Sequence, residues 1–280
     1  MEVLYHYCAP ETFLSIIRFR SIWLSSMTQS NDSAEGEYAL DLLYGWAVSN
    51  GVSTVQAQAL LAYLRHGVVA GGCLGFCLSA KSDLLGQWRG YAKDGKGFSI
   101  GFARQFLESL CLEEDASDRR MQLCELAYTE ESQLAALDAF CRAILLAKDQ
   151  GILEHGDNLD ELLVSTAVQD RESVKAYAMF LGAVLSASVA LYTIKGPAFI
   201  EEHEWRLLRP ESGSAGLHYR CANDQIIPYI QVDLTTDGLP PIREVILGPR
   251  QQTPERVVRA FLDQHGFHGV EIKRSSATYR

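Results

Sequence analysis

Aromatic and apolar residues open the chain in alternation, and the period then lengthens. Val3-Leu-Tyr-His-Tyr7 reads as a strand, with His6 on the face opposite Val3, Tyr5 and Tyr7. Ala9-Pro-Glu-Thr12 opens an amphipathic helix over about Glu11 to Phe19, whose Phe13, Leu14 and Ile17 share one face. Ile22-Trp-Leu-Ser25 is a second strand. The polar run Thr28 to Gly36 is a loop in which Asn31-Asp32-Ser33 caps the next helix. Helical periodicity covers roughly Glu37 to Ser49 and Thr54 to His66, and Gly71-Gly72 ends it. Cys73 to Leu78 reads as a buried strand, Leu84 to Ala92 as a short helical stretch and Asp94-Gly-Lys-Gly97 as a turn. Phe98 to Phe102 and Cys124 to Tyr128 are further strands.

From about Glu131 to Leu191 the chain turns Ala- and Leu-rich with a helical period, interrupted near Gly151 and His155-Gly-Asp157. This predicts an insertion of two or three helices at 131–191. Strand character returns at Phe199 to Leu208, Ile226 to Val232 and Val245 to Leu247. Pro254 to His265 is a helix capped by Thr253 and stopped by Gly266, and Val270 to Arg274 is a last strand. The pattern is that of one α+β domain over residues 1–280, with a mixed, mainly antiparallel sheet and helical insertions.

Composition narrows the partners. The 280 residues, 48% of them hydrophobic, are enough for a full core. A net charge of −10 argues against broad duplex binding, because no wide basic footprint is present. A local pocket for a nucleotide is still compatible with it. The seven cysteines (Cys8, Cys73, Cys77, Cys111, Cys124, Cys141 and Cys221) are odd in number and lack a C-x-x-C spacing. They are expected as reduced thiols, with neither a disulfide framework nor a zinc site. The N-terminus carries no signal-peptide pattern, and no apolar run is long enough to span a bilayer. A soluble cytoplasmic protein without membrane contact or metal is expected.

Three constellations offer chemistry. As a strand, Phe199 to Leu208 would put Ile200, Glu202, Glu204, Arg206 and Leu208 on one face. A Glu-x-Glu-x-Arg row between apolar ends is either a carboxylate site on a rigid strand or a solvated edge whose acids pair with Arg206. His6 is either a structural strand histidine or a neutral imidazole that holds a ligand hydroxyl opposite Glu204. In Gln87-Trp-Arg-Gly-Tyr91, Trp88 and Tyr91 share a helix face, and Arg89 brings a cation beside them. That cluster either stacks a flat ring and meets phosphate or buries two aromatics at a helix end. Asn31 to Glu35 lacks the calcium-loop pattern and is read as a cap. No P-loop, G-x-S-x-G elbow or H-E-x-x-H motif occurs.

Tyr5-His6-Tyr7, Glu11 to Ile16, Ile22 to Ser25 and Asn31-Asp32 resemble the opening of a bacterial family of unknown function, number 2971 among such domains. Phe76 to Ser79, Gln87 to Tyr91, Gly95-Lys-Gly97, Glu202 to Arg206 and Ser275 to Arg280 continue the resemblance in order. More distantly, a Tyr-His strand, a short helix and a second strand resemble the start of ADP-ribosyltransferase-like domains. That likeness implies a sheet core of the same type and NAD as substrate. It also implies an unknown protein or nucleic-acid acceptor, in defence or toxin biology. His6 would contact the ribose, and Glu204, or its neighbour Glu202, would orient a ribose hydroxyl. Ser25, Ser79, Trp88 and Tyr91 are candidates for the middle, nicotinamide-packing position, and Arg89 or Arg206 for the pyrophosphate. The alternatives are a non-catalytic module binding a nucleotide or a partner, and a paired-acid hydrolase using Glu202 and Glu204.

Overall fold

The opening pattern folds as β1 (Val3–Cys8), α1 (Pro10–Phe19) and β2 (Ser21–Ser26). Pro10 occupies the start of α1, where its missing N–H costs nothing, and Phe13, Ile16 and Ile17 bury one helix face. The computed structural model describes residues 2–29, 34–112, 120–149, 189–211, 216–222, 224–235 and 238–278, with single positions 175, 178 and 182. The expected cap Asn31-Asp32-Ser33 and the interruptions near Gly151 and His155 lie outside the described residues.

The long helices are α2 (Ala34–Ser49) and α3 (Thr54–Gly71), the second opened by a Ser53–Gln56 capping box. They are followed by β3 (Cys73–Ser79), α4 (Leu85–Gly90), β4 (Phe98–Ala103), α5 (Arg104–Leu110) and β5 (Gln122–Glu125). The start of the inserted section contains α6 (Glu130–Ala136) and α7 (Asp138–Asp149). The chain then forms β6 (Glu204–Pro210), β7 (His218–Ala222), β8 (Gln225–Asp233) and β9 (Ile242–Leu247). It closes with α8 (Glu255–Gln264) and β10 (Glu271–Arg274). Thr253 does not cap α8: Pro254 holds that position, and Thr253 hydrogen-bonds Gln251 instead.

The strands form one open sheet in the order β10-β9-β4-β1-β3-β2-β8-β7, with β6 alongside β3 and β5 beyond it. All pairs are antiparallel except β9–β10. The architecture is therefore α+β with a mainly antiparallel sheet. Two apolar clusters support it. One packs α1, α5 and α8 on the sheet, and the other joins α2, α3 and α7 around Leu137, Leu191 and Ile194.

Strand β3 carries the feature that makes a site possible. Along one edge β6 pairs with it over its whole length, Cys73 to Ser79. The other edge is shared: β1 meets it only at Tyr5–Ser79, and β2 only at Ser25–Gly75 and Ser26–Leu74. Between those pairs, Phe76-Cys77-Leu78 faces a gap in the sheet. Gly75 lets β2 close the far end of the gap, because a side chain there would overlap Met27.

The expected strand Phe199 to Leu208 is corrected. Pro197–Glu202 is a 3₁₀ turn, His203 takes a left-handed conformation (φ 45°), and the strand begins only at Glu204. A proline-initiated turn satisfies its backbone locally, which competes with extending β6 backwards.

Candidate functional site

A cavity of about 230 Å³ opens at the gap beside β3. Its walls bring together Tyr5, His6 and Tyr7 of β1, Cys77 and Leu78 of β3, Gln87 and Tyr91 at α4, Met27, Glu202, and Glu204 and Arg206 of β6. Residues from the first strand and from near residue 200 therefore meet at one place.

His6 bridges the gap. Its Nδ1 lies 2.9 Å from the Cys77 carbonyl oxygen, and its ring stacks on Phe76 with centroids 4.2 Å apart. A carbonyl only accepts, so Nδ1 carries the proton and Nε2 of the neutral ring is an acceptor. Burial drives the pKa down to about 4, against a smaller opposing effect of the Cys77 bond. The imidazole is neutral at physiological pH.

The acidic wall is a chain of four charges that sum to zero. Lys195 Nζ lies 2.7 Å from Glu202 Oε2 and 2.7 Å from Glu204 Oε2. Arg206 Nε donates to Glu204 Oε1 at 2.6 Å, and its Nη1 donates to the Tyr192 carbonyl at 2.9 Å. The side chains of Lys195 and Arg206 are 1% and 2% exposed, that of Glu204 is 8%, and that of Glu202 is 22%. Burial pushes the Glu204 carboxyl up, but Arg206 and Lys195 outweigh it and hold the group below the ordinary carboxylate value. Such a network is sustained only because each charge has a partner, since desolvation is costly for any ion left alone.

Backbone contacts fix this chain in place. Ser79 Oγ donates to the Glu202 carbonyl at 2.7 Å, and the Tyr128 hydroxyl accepts from the Glu204 N–H at 2.9 Å. Gln133, fully buried, donates to the Lys195 carbonyl at 2.9 Å and accepts from the Tyr38 hydroxyl at 3.2 Å. The left-handed His203 turns the chain so that Glu202 reaches Lys195 from outside the strand.

The expected site residues separate into two groups. His6, Glu202, Glu204, Arg206 and Tyr91 line the cavity; Ser25, Ser79, Trp88 and Arg89 do not. Trp88 is corrected: it is 0% exposed, edge-on to Tyr7 at 4.8 Å, with Nε1 donating to Asp83 at 2.6 Å. It has no ring face for a ligand. Trp88 and Tyr91 do not share a face either. Gln87 and Tyr91, one turn apart at the end of α4, are the two that reach the cavity. Ser79 is 1% exposed and positions Glu202, while Ser25 accepts from Arg220 at 3.3 Å. Arg89 is exposed outside the cavity, and the Arg206 guanidinium is committed to Glu204 and Tyr192, so neither is placed for pyrophosphate in the cavity. In the paired-acid alternative Glu204 fits only the ionised role. Burial is outweighed by Arg206 and Lys195, which hold its carboxyl below the ordinary value and engage both its oxygens.

Lys195 and Gln87 are among the lining or supporting residues that the sequence does not single out. Lys195 is a lone cation in the apolar run Leu191 to Ile200, and that isolation was the available signal. Gln87 stood in the aromatic cluster, but the helical spacing drew attention to Trp88 instead.

Comparison with known proteins gives a partial match to one family model and no activity. Residues 87–207, somewhat under half of the chain, match the model of a family described as a protein of unknown function (DUF2971). No curated protein and no solved structure matches the chain. No helix among the described residues is long and apolar enough to cross a membrane. The match runs from Gln87 to Leu207, so it takes in Tyr91 and the whole Lys195–Glu202–Glu204–Arg206 chain, and supports the resemblance to this family of unknown function.

Proposed function

We propose that the cavity takes the nicotinamide–ribose end of NAD and that the protein is an ADP-ribosyltransferase-like enzyme with a protein or nucleic-acid acceptor. The observation that carries this reading is the meeting of His6, from the first strand, with Glu202 and Glu204, from near residue 200, around one cavity. The residues themselves are its only support, because the comparisons bear on no activity.

The size of the cavity fits a part of the dinucleotide. At about 230 Å³ it falls below the roughly 300–1,000 Å³ of sites that enclose whole drug-sized ligands, so a ring and its sugar enter while the rest lies outside. The neutral His6 accepts a hydrogen bond from a ribose hydroxyl through Nε2. Glu202, the more exposed acid, is the carboxylate that meets the sugar, and Lys195 holds it in place.

In the reaction, the bond between ribose C1′ and the ring nitrogen breaks, and its electron pair leaves with neutral nicotinamide. The positive charge left on the sugar is stabilised by the fixed carboxylate. The acceptor's nucleophile then bonds to C1′ and gives up its proton to solvent.

A non-catalytic nucleotide-binding module is the second reading. It is favoured by the engagement of both Glu204 oxygens with buried cations, which leaves that residue in a structural role. Free nicotinamide measured during incubation with NAD separates the two. Release that is lost in Glu202→Gln supports the enzyme, whereas NAD bound and recovered intact supports the module.

A further inference from the structure

The geometry points to Gln87 as the residue that selects the ligand, by pairing its side-chain amide with a carboxamide on the ring that enters the cavity. This rests on the NAD reading and adds to it a specificity determinant. Gln87 is 9% exposed, lines the cavity, and its side chain makes no hydrogen bond among the described residues. The polar side chains nearby are otherwise used: Tyr7 donates to the Lys81 carbonyl, Tyr5 donates to Glu244, and Glu204 and Arg206 pair with each other.

None of the fully buried, unpartnered polar atoms among the described residues belongs to Gln87, so its amide meets the cavity, and the fold draws no internal hydrogen bond from it. It offers one acceptor oxygen and two N–H donors in a plane. The complementary group is a planar donor–acceptor edge. A primary carboxamide has that edge, and so does the amino edge of adenine. The carboxamide is preferred because the ring that departs must sit beside the carboxylate wall, and Gln87 shares the cavity with Glu202 and His6. Tyr91, one turn further on, lines the same cavity and supplies an aromatic surface for a flat ring.

Calorimetric titration tests the assignment, with NAD, its 3-acetylpyridine analogue (which keeps the carbonyl and lacks the amide N–H) and AMP as probes. Wild type is expected to bind NAD more tightly than the analogue. Gln87→Leu is expected to weaken NAD roughly 10- to 100-fold, to erase that preference and to leave AMP unchanged. The melting midpoint of the free Gln87→Leu protein is expected to hold or rise, because no internal bond is lost. NAD binding and preference retained in Gln87→Leu would overturn the inference while leaving the NAD reading intact. Weakening confined to AMP would overturn it in favour of an adenine edge. A lowered midpoint, repeated in Gln87→Met, would overturn it by showing a structural role. Absence of NAD binding by wild type would overturn the NAD reading and the carboxamide assignment together.

Discussion

Lys195 Nζ lies 2.7 Å from Glu204 Oε2, and both side chains are almost wholly removed from solvent. The same ammonium holds Glu202 at 2.7 Å, so one lysine ties the more exposed acid of the cavity to the buried one. Lys195→Met removes a partner from both. Arg206 still compensates Glu204, so the cost is expected at the low end of that for a broken buried pair, about 3 kcal/mol. Urea denaturation measures it. A change below about 1 kcal/mol would contradict the structural role of the network.

Acid sensitivity follows from His6. Its folded pKa of about 4 lies below the ordinary histidine value, so between those pH values the unfolded chain binds a proton that the folded protein does not. Stability is whole above about pH 6.5 and falls as pH drops towards 4, by at most about 3 kcal/mol from this residue. Glu204, whose folded pKa is lowered, adds a loss at still lower pH. His6→Gln is expected to flatten the curve between about pH 6.5 and 4, read from denaturation midpoints across that range. Equal slopes in the two proteins would exclude His6 as the cause.

The C-terminal segment is fastened beside the cavity through Asp83. Its Oδ1 accepts from Trp88 Nε1 at 2.6 Å and Ser275 Oγ at 2.5 Å, and its Oδ2 accepts from the Ser276 N–H at 2.7 Å. Asp83→Ala leaves a buried indole N–H unpaired and is expected to cost about 2–4 kcal/mol. Protease cleavage after Arg274 should appear first in this variant. Unaltered cleavage and stability would show that the fastening is dispensable.

Gly97 is required by a close crossing of backbones. A Cβ there would overlap the Cys8 carbonyl oxygen and crowd the Ala92 backbone, neither of which is a flexible side-chain end. Gly97→Ala is expected to lose about 3 kcal/mol or more, or to fail to accumulate folded. Wild-type stability in this variant would mean that the Asp94-Gly-Lys-Gly97 turn packs differently.

The sequence made some of this legible and hid the rest for physical reasons. β1, α1 and β2 were readable because each buries one face at its own period. In α1 Phe13 and Ile17 point inward as the spacing requires, whereas Leu14, expected on the same face, is exposed and Ile16 takes its place. β7 and α5 were not read, being short segments whose burial is set by neighbours distant in sequence. The carboxylate row was seen, but its geometry was not. Pro197 and the left-handed His203 break the strand, so Glu202 approaches through Lys195 rather than along a strand face. In α4 the spacing of Trp88 and Tyr91 satisfied a helical pattern, yet a helix of six residues ends before that pattern governs which side is buried. The partnership of His6 with Cys77 spans 71 positions and leaves no local trace.

The most direct measurement is calorimetric titration of NAD into wild type, His6→Ala and Glu202→Gln, with circular dichroism to verify the fold of each. One saturable site in wild type, weakened at least tenfold in both folded variants, is the predicted result. No binding by wild type, or equal binding by all three proteins, would contradict the assignment of this cavity to NAD.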